Sequence, residues 1–344
     1  MAPSESRLHL PQRLRRLRLN QPMRRLMQEH WLSVQDLVQP IFIKADKQPP
    51  TPIASMPGQY RFSIEDLLKE CEALLKVGLS AIALFPYIEG ALKDAEGSGA
   101  LNDKGLMIEA IRAIKKNFPE LIVIADVALD PYTDHGHDGV LKADESDVDN
   151  DRTVGILSEM AVLLAQAGID WVAPSDMMDG RIGAIRSALD AEGFTETLIH
   201  AYAAKYASAY YGPFRDALGS LGSGSHKKTK LACKSTYQLN PANAREALLE
   251  VQLDEAEGAD IVMIKPAGMY LDVIRQVKDS TLLPVSAYQV SGEYSQIHAA
   301  AQLGWLDLNK ACDEALLAIK RAGADIIFTY FAKQVAERLQ KKYL

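Results

Sequence analysis

The chain has 344 residues, of which 48% are hydrophobic and 24% charged, and it carries a formal net charge of −7. This is the mix of a globular protein with a large core rather than of a disordered one, and the acidic balance argues against a general nucleic-acid partner. No run of about 18 uninterrupted apolar residues predicts a membrane span, and Cys71, Cys233 and Cys312 lie far apart without C-x-x-C spacing, which predicts no disulfide framework and a reducing, cytoplasmic compartment.

Residues 1–35 cluster Arg13, Arg15, Arg16 and Arg18 and show no strand pattern. They lack the apolar run of a secretory signal and are read as an arm that docks on a neighbour, an Arg-rich transit peptide being the alternative. From residue 36 onward short β-branched runs alternate with amphipathic stretches. The predicted strands are Pro40–Ile43, Ser80–Phe85, Leu121–Asp126, Trp171–Ala173, Leu198–Lys205, Asp260–Lys265, Pro284–Gln289 and Asp325–Tyr330. Between them, helices are predicted at Ser63–Lys76, with a Ser start and acidic first turn, and at Val154–Ala167, stopped by Gly168. Others fit Asn243–Glu257, Tyr270–Lys278 and Leu308–Ala322.

Eight strand–helix repeats are the pattern of an α/β protein with a (β/α)₈ TIM barrel, here spanning residues 36–344 behind the 1–35 arm. A doubly wound open sheet is the alternative, but no G-x-G-x-x-G follows the first strand. Two long stretches interrupt the alternation, an acidic one at 127–150 and a Gly/Ser-rich basic one at 216–235. Both would leave C-terminal strand ends, the face where barrel enzymes keep their chemistry.

Two lysines close predicted strands. Lys265 ends an apolar run and is followed by Pro266; an ammonium desolvated there loses basicity, and the neutral amine is the form that attacks a ketone. Pairing with a rim carboxylate is the competing reading. Lys205 closes the preceding strand, so both amines would reach one mouth and depress each other. The alanines of 198–210 also allow a helix with Lys205 solvated, and periodicity leaves that open.

The passages SMPGQYRFSIEDL (55–67), DVALDPYTDHGHDGVL (126–141), AYAAKYASAYYGPFRDA (201–217), YQLNPANAREALLEV (237–251), GADIVMIKPAGMYLDVIRQVKD (258–279), YQVSGEY (288–294) and RAGADIIFTY (321–330) occur in this order. Together they resemble the porphobilinogen synthase (5-aminolevulinic acid dehydratase) family, from about residue 13 to the C-terminus. One departure is KPAGMYLD, where many members read KPGMPYLD; it bears on local turn geometry.

The resemblance implies a lyase that condenses two molecules of 5-aminolevulinate into porphobilinogen, losing two waters, in tetrapyrrole and heme biosynthesis. Lys265 would bind the propionate-side substrate and Lys205 the acetate-side one, each as a Schiff base. Arg215 and Lys234 match the family's acetate-side carboxylate binders, and Ser291 and Tyr330 its propionate-side hydroxyl donors. Many relatives hold zinc through three cysteines; the matching positions here are Ala128, Asp130 and Asp138. No zinc cysteine cluster is therefore expected. Asp130 and Asp138 are read either as ligands of hydrated Mg²⁺ or as metal-free acid/base groups, with Asp126 and Ser175 lining the same pocket. His135 and His137 are read as solvated or hydrogen-bonded loop residues rather than ligands. Glu250, fifteen residues before Lys265, matches the carboxylate for an activating, allosteric Mg²⁺. A homo-octamer of arm-exchanged dimers is implied as well, with neither nucleic-acid nor membrane partners. The rival readings are a single-lysine barrel aldolase, which would want a phosphate site that 286–296 does not offer, and a non-catalytic oligomeric relative.

Overall fold

A computed structural model describes residues 10–219 and 228–343; of the basic 216–235 stretch, positions 220–227 therefore lie outside the described residues, as do positions 1–9 of the arm. The chain divides into two units, Met1–Trp31 and Leu32–Leu344. In the first, a 3₁₀ turn at Leu14–Arg18 precedes helix α1 (Gln21–Leu26), whose Asn20 cap accepts from the Met23 N–H at 2.9 Å. Leu14, Leu17, Leu19 and Leu26 are all exposed. Residues 32–35, which the sequence reading assigned to the arm, belong to the second unit, where Leu32 and Val34 pack on its core.

The second unit opens with β1 (Leu37–Lys44), then a small excursion of β2 (Thr51–Pro52) and β3 (Tyr60–Phe62), then α2 (Ile64–Lys76) and β4 (Ala81–Tyr87). After it come α3 (Leu106–Asn117), β5 (Ile122–Val127), α4 (Asn150–Gln166), β6 (Trp171–Pro174), α5 (Arg181–Ala191) and β7 (Leu198–Lys205). The chain continues through α6 (Gly212–Leu218), α7 (Arg245–Ala256), β8 (Ile261–Lys265), α8 (Leu271–Ser280), β9 (Val285–Gln289), α9 (Ser291–Gln302), α10 (Leu308–Ala322), β10 (Ile326–Thr329) and α11 (Ala332–Tyr343). Strands β1 and β4 to β10 pair in parallel in chain order, and β10 returns to β1 through Leu37↔Ile327 and Val38↔Phe328. The sheet is thus a closed eight-stranded parallel barrel. All eight predicted strands are among them, which excludes the doubly wound sheet.

The helices follow their caps. Ser63 Oγ accepts from the Asp66 N–H at 3.2 Å, and α2 buries Leu67, Cys71 and Leu74 at helical spacing before Gly78 (φ +83°) turns the chain away. Asp149 caps α4 in the same manner, so this helix starts four residues before the apolar pattern does. The helices that composition did not reveal are α1, α3, α5, α6, α9 and α11; α3, α5, α6 and α9 follow Gly105, Gly180, Tyr211 and Val290, which make no side-chain cap bond. A missing cap does not by itself hide a helix, since α7 and α8 were predicted and also begin without one.

Arg181, at the start of α5, is 2% exposed yet charged. Its guanidinium grips Asp254 of α7 at 2.9 and 3.1 Å and donates to the carbonyls of Tyr202 (3.2 Å) in β7 and Met178 (3.4 Å). A buried pair is balanced only while both partners stay. Asp254→Ala should strand the guanidinium and cost about 3–5 kcal/mol of stability, measurable by urea unfolding; a loss below about 1 kcal/mol would show that the remaining partners compensate.

Candidate active site

The mouth of the barrel is built by a break in strand β7. His200 and Tyr202 point inward, His200 bonding Ser286 at 2.5 Å across the interior and Tyr202 lying near the mouth. A regular strand would then aim Lys205 outward, because facing alternates. The β7–β8 register instead runs His200↔Ile261 and Ala201↔Val262, then slips to Ala204↔Ile264 and Lys205↔Lys265. Two residues of β7 oppose one of β8, the arrangement of a β-bulge, and Lys205 is returned to the interior. The two lysines are direct cross-strand neighbours, each 6% exposed. Their backbones are fixed beyond the strands, the Lys265 carbonyl accepting from Tyr206 N at 2.9 Å and the Lys205 carbonyl from Leu239 N at 3.0 Å. The helical alternative for 198–205 is excluded.

The lysines meet different surroundings. Lys205 Nζ donates to the Ser175 carbonyl beyond β6 and sits 3.7 Å from Asp138 Oδ2. Asp138 also takes Lys234 Nζ at 3.0 Å, and Lys234 lies 3.5 Å from Asp130. Burial alone would raise the Asp138 carboxyl, but the charges of Lys205 and Lys234 and the Lys234 hydrogen bond outweigh it and hold it at about 2. For Asp126, at the end of β5, burial first and the Asp130 charge second outweigh the charges of Lys265 and Lys205 and the Ser175 hydrogen bond, and push it up to about 7. Burial also raises Asp130. Of the three carboxyls one stays ionised, while another can hold a proton near neutrality.

Lys265 Nζ is enclosed by the rings of Tyr288 (4.7 Å), Tyr202 (5.0 Å), Phe214 (5.0 Å) and Tyr211 (5.4 Å). Ring faces favour a cation by about 0.5–2 kcal/mol. Burial and, after it, the positive charge of Lys205 act the other way and win, depressing the amine to about 7. Lys265 is packed among aromatic rings, and the carboxyls of Asp126, Asp130 and Asp138 act on it by charge. Tyr330, buried beyond β10, shares a hydrogen bond of 2.9 Å with the Tyr288 hydroxyl and stacks on Phe42. Ser291 Oγ accepts from Phe214 N at 2.9 Å and donates weakly to the Tyr210 carbonyl at 3.4 Å, so its hydroxyl is engaged with backbone. Arg215 is half-buried in the last turn of α6, its charge within reach of Lys234.

The loop after β5 folds inward: Ala128, Asp130, His135, His137 and Asp138 are all buried. His137 Nε2 donates to the Leu231 carbonyl at 3.1 Å, which leaves Nδ1 to accept from the Tyr237 hydroxyl at 3.0 Å. Both histidines are hydrogen-bonded: His137 ties this loop to the Lys234-bearing segment, whereas His135 bonds the Ala95 carbonyl. A metal between Asp130 and Asp138 would have to compete with the Lys234 ammonium that both carboxylates face. Glu250 lies apart on α7, half-buried, and is raised to about 7 by burial against the opposing charge of Arg181, with Asp254, Asp179 and Glu246 adding to the rise. Sequence reasoning did not find the aromatic enclosure of Lys265, Tyr237, or Lys93, whose buried Nζ lacks a hydrogen-bond partner and feels the charge of Asp130. The one available signal was the density of tyrosine and phenylalanine in 201–217.

A family model described as delta-aminolevulinic acid dehydratase matches residues 11–338. The chain is 50% identical over 339 residues to the delta-aminolevulinic acid dehydratase of Bradyrhizobium diazoefficiens, covering 98% of this chain and 94% of that one. It is also 50% identical to that of Chlamydia pneumoniae (98% and 99% covered) and 51% identical to a chloroplastic one of Physcomitrium patens (98% and 76%). A crystal structure of the Toxoplasma gondii delta-aminolevulinic acid dehydratase (porphobilinogen synthase), solved with the reaction product porphobilinogen, superposes with a TM-score of 0.92 at 46% identity, covering 96% of this chain and 92% of that one. On fold, length and motif order together, this chain belongs to the delta-aminolevulinic acid dehydratase family.

Proposed function

We propose that this chain condenses two molecules of 5-aminolevulinate into porphobilinogen, with loss of two waters, through imines on Lys265 and Lys205. The observation that carries the residue assignment is the pairing of the two lysines across β7 and β8 inside a buried mouth. Such an arrangement replaces an encounter between two substrates with an oriented one. Lys265 is the better first nucleophile, since its depression to about 7 leaves a large neutral fraction at physiological pH. Its nitrogen attacks the ketone carbon, and the carbinolamine expels its hydroxyl as water once a proton is supplied. Asp126, raised to about 7, suits that donor role. The iminium formed then withdraws electrons for bond formation to the second substrate.

On the other side, Lys205 beside the ionised Asp138 takes the acetate-side substrate. Arg215 and Lys234 supply positive charge for its carboxylate, and Lys234 reaches it by exchanging one of its two aspartate contacts. For the propionate-side carboxylate, Tyr330 offers a hydroxyl near the aromatic enclosure and Ser291 a second one once released from backbone. Asp130 and Asp138 act without metal, as acid/base and electrostatic groups around the amines, with Ser175 fixing Lys205. Glu250 is the proposed carboxylate for an allosteric Mg²⁺, where the acidic neighbours Asp254, Asp179 and Glu246 favour a cation and a mostly hydrated ion needs few direct ligands. The exposed leucines of the 10–31 segment support an assembled form, read here as a homo-octamer of arm-exchanged dimers. Free Cys71, Cys233 and Cys312 suit a cytoplasmic setting. Among the described residues no helix is long and apolar enough to cross a membrane.

The direct test is borohydride trapping with 5-aminolevulinate followed by peptide mapping. Lys265 should be labelled first, and absence of an adduct at both lysines would sink the assignment. Trapping at Lys265 should rise with pH to a maximum at about 7 and then fall, the midpoint of the rising limb following deprotonation of the amine and the falling limb following loss of the Asp126 proton. Lys205→Met should shift the midpoint upward by removing the neighbouring positive charge; an unmoved midpoint would deny the coupling. Arg215→Ala should raise the half-saturating 5-aminolevulinate concentration by about ten- to a hundredfold, the worth of one charge-assisted contact. Activity should survive a zinc-selective chelator and respond to Mg²⁺, with the response lost in Glu250→Gln; a complete loss restored only by Zn²⁺ would refute the metal-free aspartate reading.

A further inference from the structure

Glu293 is a carboxylate that the chemistry above does not use. It is 2% exposed, in the first turn of α9, two residues after Ser291. Its Oε2 accepts from Val290 N at 2.7 Å, which closes the start of its own helix in the manner of an ordinary cap. The remaining bonds go elsewhere. Oε2 also accepts from Ala267 N at 3.3 Å, and Oε1 from Gly268 N at 2.5 Å, both in the turn that directly follows Lys265 and Pro266. One buried group thus bonds the backbone leaving β8 and the backbone leaving β9.

The surrounding glycines fit this use. A Cβ on Gly268 would stand 2.5 Å from Glu293 Oε1, so the carboxylate reaches that N–H only because residue 268 has no side chain. A Cβ on Gly292 would stand 2.5 Å from the Tyr210 carbonyl, so the start of α9 is pressed on the segment leading to Phe214. Ser291 bonds Phe214 N, and the Phe214 ring covers Lys265 Nζ. Burial pushes the Glu293 carboxyl up to about 7 against the pull of its backbone donors, so keeping it inside is costly and needs a return.

We propose that Glu293 is a positioning residue that fastens the turn after Lys265 to the turn bearing Ser291, holding the imine-forming amine and its enclosing wall in one frame. The proposal rests on the assignment of Lys265 as an imine-forming lysine. Helix capping by itself would need only Val290; the two bonds to residues 267 and 268 are what the proposal explains.

The test uses the full-length protein with 5-aminolevulinate and borohydride, reading the trapping rate at Lys265 beside the thermal unfolding midpoint. Glu293→Gln keeps size and one acceptor but turns an NH₂ toward a backbone donor. It should slow trapping at Lys265 by about ten- to a hundredfold, the scale of a small misplacement of a reacting group, and lower kcat more than it raises KM. Gly268→Ala leaves the glutamate in place and forces it off the turn, and should reproduce the selective loss. Trapping at wild-type rate in a folded Glu293→Gln protein would overturn the proposal while leaving the lysine assignment intact. Loss of folding in both variants would also overturn it, assigning Glu293 to stability alone. A wild-type protein that forms no adduct at Lys265 would overturn the lysine assignment and this proposal with it.

Discussion

Two primary amines held side by side out of water form the constraint around which this molecule is arranged. Lys205 and Lys265 are cross-strand partners at the C-terminal ends of β7 and β8, and both are buried. Two ammonium ions in such a place repel each other and lack solvent to spread their charge. The fold resolves this by treating them unequally. Lys205 receives the Ser175 carbonyl and the Asp138 carboxylate, while Lys265 receives aromatic rings. Burial among those rings, beside the charge of Lys205, drives Lys265 toward its nucleophilic form.

The same asymmetry runs through the acids. Asp138 lies between two lysines and stays ionised; Asp126 faces burial without a hydrogen-bonded partner on Oδ1 and titrates near neutrality. Carboxyls of one chemical type are thereby set to opposite duties by their neighbours, a common way for a site to run acid and base steps at one pH. Lys234 has a further consequence. Its ammonium lies between Asp130 and Asp138 and so sets positive charge beside both carboxylates.

Stability and function share parts here. Arg181 joins α5, α7, β7 and the loop after β6, and that loop presents the carbonyl that holds Lys205. Glu250 lies on the same α7 helix and feels the Arg181 charge. Glu250 is thus linked by charge to a buried cation that also bonds the backbone of β7.

The alternation of β-branched runs with capped amphipathic stretches was enough to read all eight barrel strands, because parallel strands buried on both faces are nearly continuous in apolar residues. The two lysines were legible for the same reason, as charges ending runs that otherwise exclude charge. Helices α1, α3, α5, α6, α9 and α11 were not legible; an uncapped start at Gly105, Gly180, Tyr211 or Val290 removes one signal, although α7 and α8 were read without one. Nor could periodicity place Lys205: counted from His200 and Tyr202 it belongs outside, and only the two-against-one slip between Ala201 and Ala204 turns it in. Residue types and their order along the chain therefore determined the barrel and the identity of the two amines. The inequality of those amines was decided by tertiary structure, because it depends on which distant groups, Asp138 or Tyr288, Ser175 or Phe214, lie within a few ångströms of each nitrogen.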